Sequence, residues 1–152
     1  MRLILAVTFG LPLLAALAFA GFIRLAPLDP ARWHVSLAEP RRTGKPNDVR
    51  LRPEGGDIAA PVFALPPADL AAKIAALALA EPHTRLLAGS VAEQHMTFVQ
   101  RSALWGFPDL ITVETLPAPG GATLRLWSRA RFGYSDFGVN RARATRWLAA
   151  LH

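Results

Sequence analysis

The chain of 152 residues contains no cysteine. That absence excludes disulfides, thiolate metal sites and cysteine nucleophiles together. Lysine is nearly missing too, present only as Lys45 and Lys73, so arginine carries the positive charge. The histidines His34, His83, His95 and His152 are scattered, with no metal-ligand spacing and no partnered nucleophile. No glycine-rich phosphate loop of the Walker or dinucleotide type occurs. Helix-turn-helix, zinc-finger and aromatic ribonucleoprotein patterns are missing as well. The formal net charge of +6 therefore reads as a basic soluble face or as attraction to anionic lipid headgroups, not as nucleic-acid binding. The sequence calls for no cofactor and no metal.

What is present begins with a greasy run. Leu3 to Ile23 is uncharged and nearly continuously apolar, flanked by Arg2 and Arg24. At a rise of about 1.5 Å per residue such a helix matches the ~30 Å hydrocarbon layer. Pro12 lies within it, a position more tolerable in a membrane than in a soluble helix. Two readings compete. One is a signal peptide cleaved after Ala18-Phe19-Ala20; the other is a retained anchor over residues 1–24, which the length of the run favours. Flanking arginines Arg24, Arg32, Arg41 and Arg42 argue for a cytoplasmic C-terminal part. Short N-terminal leaders generally export the chain behind them, which argues for the opposite, and export is preferred.

Residues 25–60 carry Pro27, Pro30, Pro40, Pro46 and Pro53 with Gly44, Gly55 and Gly56. They read as an extended linker, with Trp33 either at headgroup level or folded back onto the domain. The domain proper is expected over 61–152. Pro61 to Leu65 is a candidate strand, and a helix over 68–81 places Leu70, Ile74, Leu77 and Ala78 on one face. Strands are expected over 84–89, 95–105, 110–116 and 122–132. In the last, Leu124, Leu126, Ser128, Ala130 and Phe132 share one face and Thr123, Arg125, Trp127, Arg129 and Arg131 the other. A closing helix from Val139 or Asn140 has the stripe Ala144, Trp147, Leu148 and Leu151, with Arg141, Arg143 and Arg146 off it. This order predicts an α+β fold. Its sheet is curved and antiparallel, with a helix after the first strand and a C-terminal helix across it in helix-grip fashion.

The densest polar stretch is Arg131-Phe-Gly-Tyr-Ser-Asp-Phe-Gly-Val-Asn-Arg-Ala-Arg143. Asp136 or Asn140 can accept from free N–H groups at the helix start, and Arg131 and Arg141 can both reach toward Asp136. The bland reading is a polar knot pinning the helix to the sheet. The functional reading is a pocket for an anionic or amphipathic ligand. Its candidate residues are Arg101, Ser102, Trp105, Asp109, Arg129, Arg131, Tyr134, Ser135, Asp136, Asn140 and Arg141. Forked guanidinium donors would hold a carboxylate or phosphate against aromatic walls. Arginine beside tryptophan on a sheet face also stacks without any ligand. No catalytic residue stands out, and Asp109 and Asp136 read as turn or capping residues.

The stretch from Arg131 to Arg143 resembles the signature of the DUF1499 family, uncharacterised proteins of bacteria and plant plastids. Gln100-Arg-Ser102 followed by Gly106-Phe-Pro-Asp109 resembles a second block of that family. Pro46-Asn47 resembles a third, although Asp48 stands where a cysteine is usual and Ala130 where a serine is common. The resemblance covers roughly residues 46–152. It implies no established activity; the apolar leader common in that family implies a membrane or exported location. The expectation is a single-pass protein of a bacterial inner membrane, held by residues 3–23, with its domain in the periplasm. Its role would be non-catalytic binding of a lipid-like or other anionic amphipathic molecule. The alternatives are a scaffold docking envelope proteins through an Arg/Trp surface and, last, a hydrolase; the sequence names no protein partner.

Overall fold

The structure, a computed structural model, describes residues 2–39 and 42–151, with side chains from Gly10 onward. Pro40, Arg41, His152 and the side chains of the apolar run before Gly10 lie outside the described residues. The elements are α1 (Arg2–Leu25), α2 (Pro30–Trp33), β1 (Asp48–Arg52), β2 (Ile58–Ala59), α3 (Pro67–Ala80), β3 (Thr84–Ser90), β4 (His95–Arg101), β5 (Pro108–Ala118), β6 (Gly121–Ala130) and α4 (Val139–Ala150).

The fold is α+β around one six-stranded sheet in the order β2-β1-β6-β5-β4-β3. The sheet is mixed rather than wholly antiparallel, because β2 runs parallel to β1. Residues 25–60 are not an extended linker. They supply α2, β1 and β2, and β1 pairs antiparallel with β6 from Asp48↔Arg129 to Leu51↔Leu126. The prolines misled because they punctuate the segment without filling it. Pro30 occupies the first turn of α2, where a missing N–H is harmless, and Asp29 caps that turn by accepting from Ala31 N at 3.0 Å.

The strand expected at 61–65 is also absent. Phe63 makes a single bridge to Ala122, donating N–H to its carbonyl at 2.7 Å and accepting at 2.9 Å. Pro61, Pro66 and Pro67 withhold the donors a longer ladder needs. Strand β4 stops at Arg101 and β6 at Ala130, both short of the expected ends, so 102–107 and 131–138 are loops at the same end of the sheet.

The alternation read in β6 holds. One face of the sheet carries Val49, Leu51, Met96, Phe98, Ile111, Val113, Leu124 and Leu126, joined in one core with Leu70, Ile74 and Ala78 of α3 and Ala144, Trp147 and Leu151 at α4. Both helices therefore lie on that face. The opposite face carries Arg50, Thr97, Leu110, Thr112, Trp127 and Arg129, all buried. A bare sheet would leave these wet. They are covered by the segment running from the end of α1 through α2 to Leu37, which is itself 4% exposed. Trp33 has folded back: its carbonyl accepts from Arg129 Nη2 at 2.7 Å and from Thr112 Oγ1 at 3.3 Å. His34 Nδ1 meets Thr97 Oγ1 at 2.9 Å, and its ring stacks on His95 at 3.8 Å between centroids. The Leu37 amide donates to Glu114 Oε1 at 2.7 Å. Burial, with the neighbouring His95 second, lowers the His34 pKa.

Helix α1 spans the greasy run with Pro12 inside it. Among the described residues no helix is long and apolar enough to cross a membrane. Hydrogen exchange on the intact protein tests the incorporation of β1. Its amides should exchange as slowly as those of central β5, through global opening only; exchange within seconds would restore the linker reading.

Candidate functional site

Three groups of residues meet at the end of the sheet where β4, β6 and α1 finish. The first is a set of arginines around carbonyls at and just beyond the end of α1 and in the loop after β4. The last four carbonyls of an α-helix lack intrahelical partners and carry the negative end of its dipole. Arg101 Nη1 donates to Ile23 O at 3.3 Å and to Gly106 O at 2.8 Å. Arg131 Nη1 donates to Ala26 O at 3.2 Å and Pro27 O at 2.6 Å. From α1 itself, Arg24 Nη2 reaches Leu104 O at 2.7 Å. The turn fits because residue 106 is glycine: its φ is +75°, and a Cβ there would meet Arg24 Cγ at 2.8 Å. Further into the sheet, Arg129 is 2% exposed. It lies 3.9 Å from the Trp127 ring centroid and 5.4 Å from that of Trp33, and donates to Thr112 Oγ1 at 3.1 Å. Arg129 and Arg131 thus hold the N-terminal segment.

The second group is a polar knot under α4. Arg143, expected off the buried stripe, is 3% exposed. It donates from Nη2 to Asp109 Oδ2 at 2.8 Å, from Nε to Gln100 Oε1 at 2.7 Å, and from Nη1 to Ser128 Oγ at 2.9 Å and Asn140 Oδ1 at 2.6 Å. Asn140 Oδ1 also accepts from Ser128 Oγ. Asn140 Nδ2 donates to Asp136 Oδ2 at 2.7 Å and to Asn47 O at 3.4 Å. Asp136 accepts from the amides of Gly138 at 3.0 Å and Asn140 at 2.8 Å, so Asp136 tethers the helix start and Asn140 is an interior member. The expected reach of Arg131 and Arg141 toward Asp136 is replaced by Arg143 toward Asp109. The network continues from Gln100 Nε2 to Glu81 Oε2 at 2.7 Å; Glu81 also accepts from Trp147 Nε1 at 2.7 Å and Arg146 Nη2 at 2.8 Å. Among the described residues no buried side-chain nitrogen or oxygen lacks a partner. Burial raises the Asp109 pKa, with Arg143 pulling it back and Asp136 adding to the rise. Burial also pushes Glu81 up, but hydrogen bonds from Arg146, Gln100 and Trp147 outweigh it and hold the carboxyl below 4.5.

The third group is open space. Between the sheet and its helices only about 10 Å³ remains, bounded by Ile74, Leu124 and Trp147, so the interior is filled. A cleft of about 560 Å³ lies instead beside α1, lined by Arg24, His83, Arg85, Arg101, Ser102 and Gly106 among others. Burial, and then repulsion from Arg85, Arg131 and Arg24, lower the Arg101 pKa. Among the described residues no carboxylate pairs with any of these four arginines. Ser102 also borders a second groove, of about 350 Å³, lined by Phe107, Asp109, Phe132, Ser135, Asp136 and Phe137 among others. Of the expected site residues, Arg101, Ser102, Asp109, Ser135 and Asp136 line these two spaces. Trp105, Tyr134 and Arg141 lie outward, with Tyr134 71% exposed, and Arg129, Arg131 and Asn140 serve the first two groups. Sequence reasoning missed Arg24, Arg85, Ser128 and Arg143; only the place of Arg143 inside the dense stretch marked it. Ser102 Oγ accepts from Phe107 N at 3.0 Å. Among the described residues no hydrogen bond joins a histidine to Ser102, Ser135, Asp109 or Asp136. Among the described residues no group of three or more histidine and acidic residues could hold a metal ion.

A family model described as "Protein of unknown function (DUF1499)" matches residues 40–151. No curated protein matches the chain. A solved structure, protein MLL2253 from Mesorhizobium loti, superposes with a TM-score of 0.44 at 14% identity, covering 68% of this chain and 95% of that one.

Two measurements test the knot. Arg143→Ala leaves Asp109 buried without its counter-charge and should lower unfolding free energy by about 3–5 kcal/mol in urea titrations. Arg143→Lys should recover only part, because one ammonium with three donors cannot replace four forked contacts. A loss under about 1 kcal/mol, the scale of an exposed pair, would remove the knot's role. For Glu81 the pKa is depressed on folding, so its contribution is present above 4.5 and fades as pH falls through the folded value. Glu81→Gln should flatten the acid limb of the stability–pH curve; an unchanged limb would contradict that.

Proposed function

The chain belongs to the DUF1499 family, proteins of unknown function, and on that premise we propose a membrane-tethered envelope domain that binds an anionic amphipathic, lipid-like ligand. The proposed location is a bacterial inner membrane, with α1 crossing once and the domain on the periplasmic side. Supporting the tether is the uncharged run Leu3–Ile23, whose full length matches the hydrocarbon layer, while the part with described side chains, from Gly10 onward, is too short to cross it alone.

The observation that carries the ligand reading is the cleft itself. Arg24, Arg85 and Arg101 line it, and like charges gathered without carboxylates repel one another. An anion relieves that repulsion, and phosphate or carboxylate oxygens match guanidinium donors. The apolar groove begins at the same Ser102, so a head in the cleft and a hydrocarbon portion along Phe107 and Phe132 would fit one molecule. Asp109 and Asp136 border that groove, which disfavours a second anionic group there. The reading is non-catalytic: Asp109 and Asp136 are engaged by Arg143 and by the start of α4, and among the described residues no histidine hydrogen-bonds to Ser102.

Arg85 is the informative residue to change. It is exposed, and its hydrogen bond is a long one, 3.4 Å to Leu86 O, whereas Arg101 also caps α1. In native mass spectrometry of the detergent-extracted protein with lysophosphatidylglycerol, Arg85→Gln should weaken retention about tenfold, ~1.4 kcal/mol. Arg141→Gln, outside the cleft, should leave it unchanged. Equal retention by wild type and Arg85→Gln, or equal retention of lysophosphatidylcholine, would discard this reading.

A further inference from the structure

We propose that the sheet end from which α1 emerges is a seat on an anionic bilayer surface, with loops 102–107 and 131–138 entering the headgroup layer. The inference rests on the tether reading above and adds how the domain is held.

Single exposed apolar side chains are ordinary on a protein surface; a contiguous patch rimmed by charge is not. Here Leu104 is 75% exposed and Phe137 96%, with Trp105, Tyr134 and Val139 also outward. An aromatic chain joins them to the helix. Phe19 of α1 meets Trp105 at 6.4 Å and Phe107 at 6.1 Å, Phe107 meets Phe132 at 6.3 Å, and Phe132 meets Phe22 at 6.2 Å. The outward leucines of α1, such as Leu14 and Leu17, lie on the same helix whose Phe19 and Phe22 make these loop contacts.

The second observation is strain. Phe137 has φ +54°, a left-handed conformation uncommon for a bulky residue. Its amide donates to Ser135 Oγ at 3.1 Å, and Asp136 Oδ1 accepts from the next amide at 3.0 Å. The loop is braced to hold an almost fully exposed phenylalanine outward, which brings nothing in water. Tryptophan and tyrosine beside it suit a headgroup layer.

The third observation is charge. Arg24, Arg85, Arg101 and Arg131 gather at this end with no carboxylate partner among the described residues. A protein partner would have to bring both acidic and apolar groups in this layout. An anionic leaflet offers both over any area, with charge at the surface and hydrocarbon beneath.

The cysteine-free chain allows clean single-site reporters in the full-length protein. Leu14→Cys reads the helix, Phe137→Cys and Leu104→Cys the two loops, and Ala92→Cys the turn between β3 and β4 at the far end. Each carries an environment-sensitive fluorophore in vesicles of phosphatidylglycerol and phosphatidylcholine containing lipids spin-labelled just below the headgroup or, to read position 14, deep in the acyl chain. Quenching at 137 and 104 should be severalfold that at 92 and should fall when phosphatidylglycerol is omitted, with quenching at 14 retained. Strong quenching at 14 with 137 and 104 no better than 92 overturns the seat and leaves the tether standing. Blue-shifted but unquenched emission at 137 and 104 means a protein covers the patch and also overturns it. No quenching at 14 removes tether and seat together.

Discussion

The structure depends on how the second face of the sheet is closed. One face is roofed by α3 and α4 through an apolar core. The other is built from Arg50, Thr97, Thr112, Trp127 and Arg129, which no greasy cover could satisfy, because each buried donor needs an acceptor. Asp48 serves Trp127 and Asp57 serves Arg50; the remaining acceptors there, and those of Arg101 and Arg131 at the sheet end, come from chain that has just stopped being regular. Trp33 offers a carbonyl at the end of α2, and Ile23, Ala26 and Pro27 offer theirs at the end of α1. Helix ends have spare carbonyls by construction. Arg101, Arg129 and Arg131 supply the donors. The match fixes the position and direction of the N-terminal helix against the domain, so any load on the helix reaches the sheet through hydrogen bonds to its backbone.

The knot under α4 performs the matching task on the other face. Ser128 sits among apolar neighbours of β6, and Arg143 among apolar neighbours of α4. Each would be a cost alone. Together with Asn140, Asp109 and Gln100 they saturate one another. The dense stretch before α4 is thus structural at Asp136, Asn140 and Arg143 and outward-facing at Tyr134 and Phe137. Its two halves do different work: the first shapes the surface, and the second locks the helix that carries it.

Much of this was legible in the residues. Period-two alternation in β6 assigned both faces correctly, because pleating leaves no other choice. The stripe Ala144, Trp147 and Leu151 gave the buried side of α4, and 3.6-residue spacing gave that of α3. What failed were judgements that depend on partners distant in sequence. Residues 48–52 read as linker because their neighbours are prolines and glycines, yet Val49 and Leu51 alternate inward against β6. Arg143 read as a surface charge because burial of an arginine requires Asp109, 34 positions away. The candidate ligand residues were half misplaced for a related reason. Arg129 and Arg131 look available in a strand, and only the returning N-terminal segment claims them.

The scarcity of lysine has its explanation here. Lys45 and Lys73 are both exposed, where a point charge on a flexible stem suffices. Among the described residues the buried cations are Arg50, Arg129 and Arg143, and the last two have several directions to serve at once. Arg129 donates to Thr112 and to the Trp33 carbonyl while its plane lies near two indoles. Arg143 engages four acceptor residues on three strands and its own helix. An ammonium has three donors and no plane, so it could neither stack nor fork in those sites, and its stronger hydration would raise the cost of burial. A fold that closes both faces of its sheet with polar joints is a fold that selects arginine. The same choice leaves Arg24, Arg85 and Arg101 at its open end as forked donors rather than point charges.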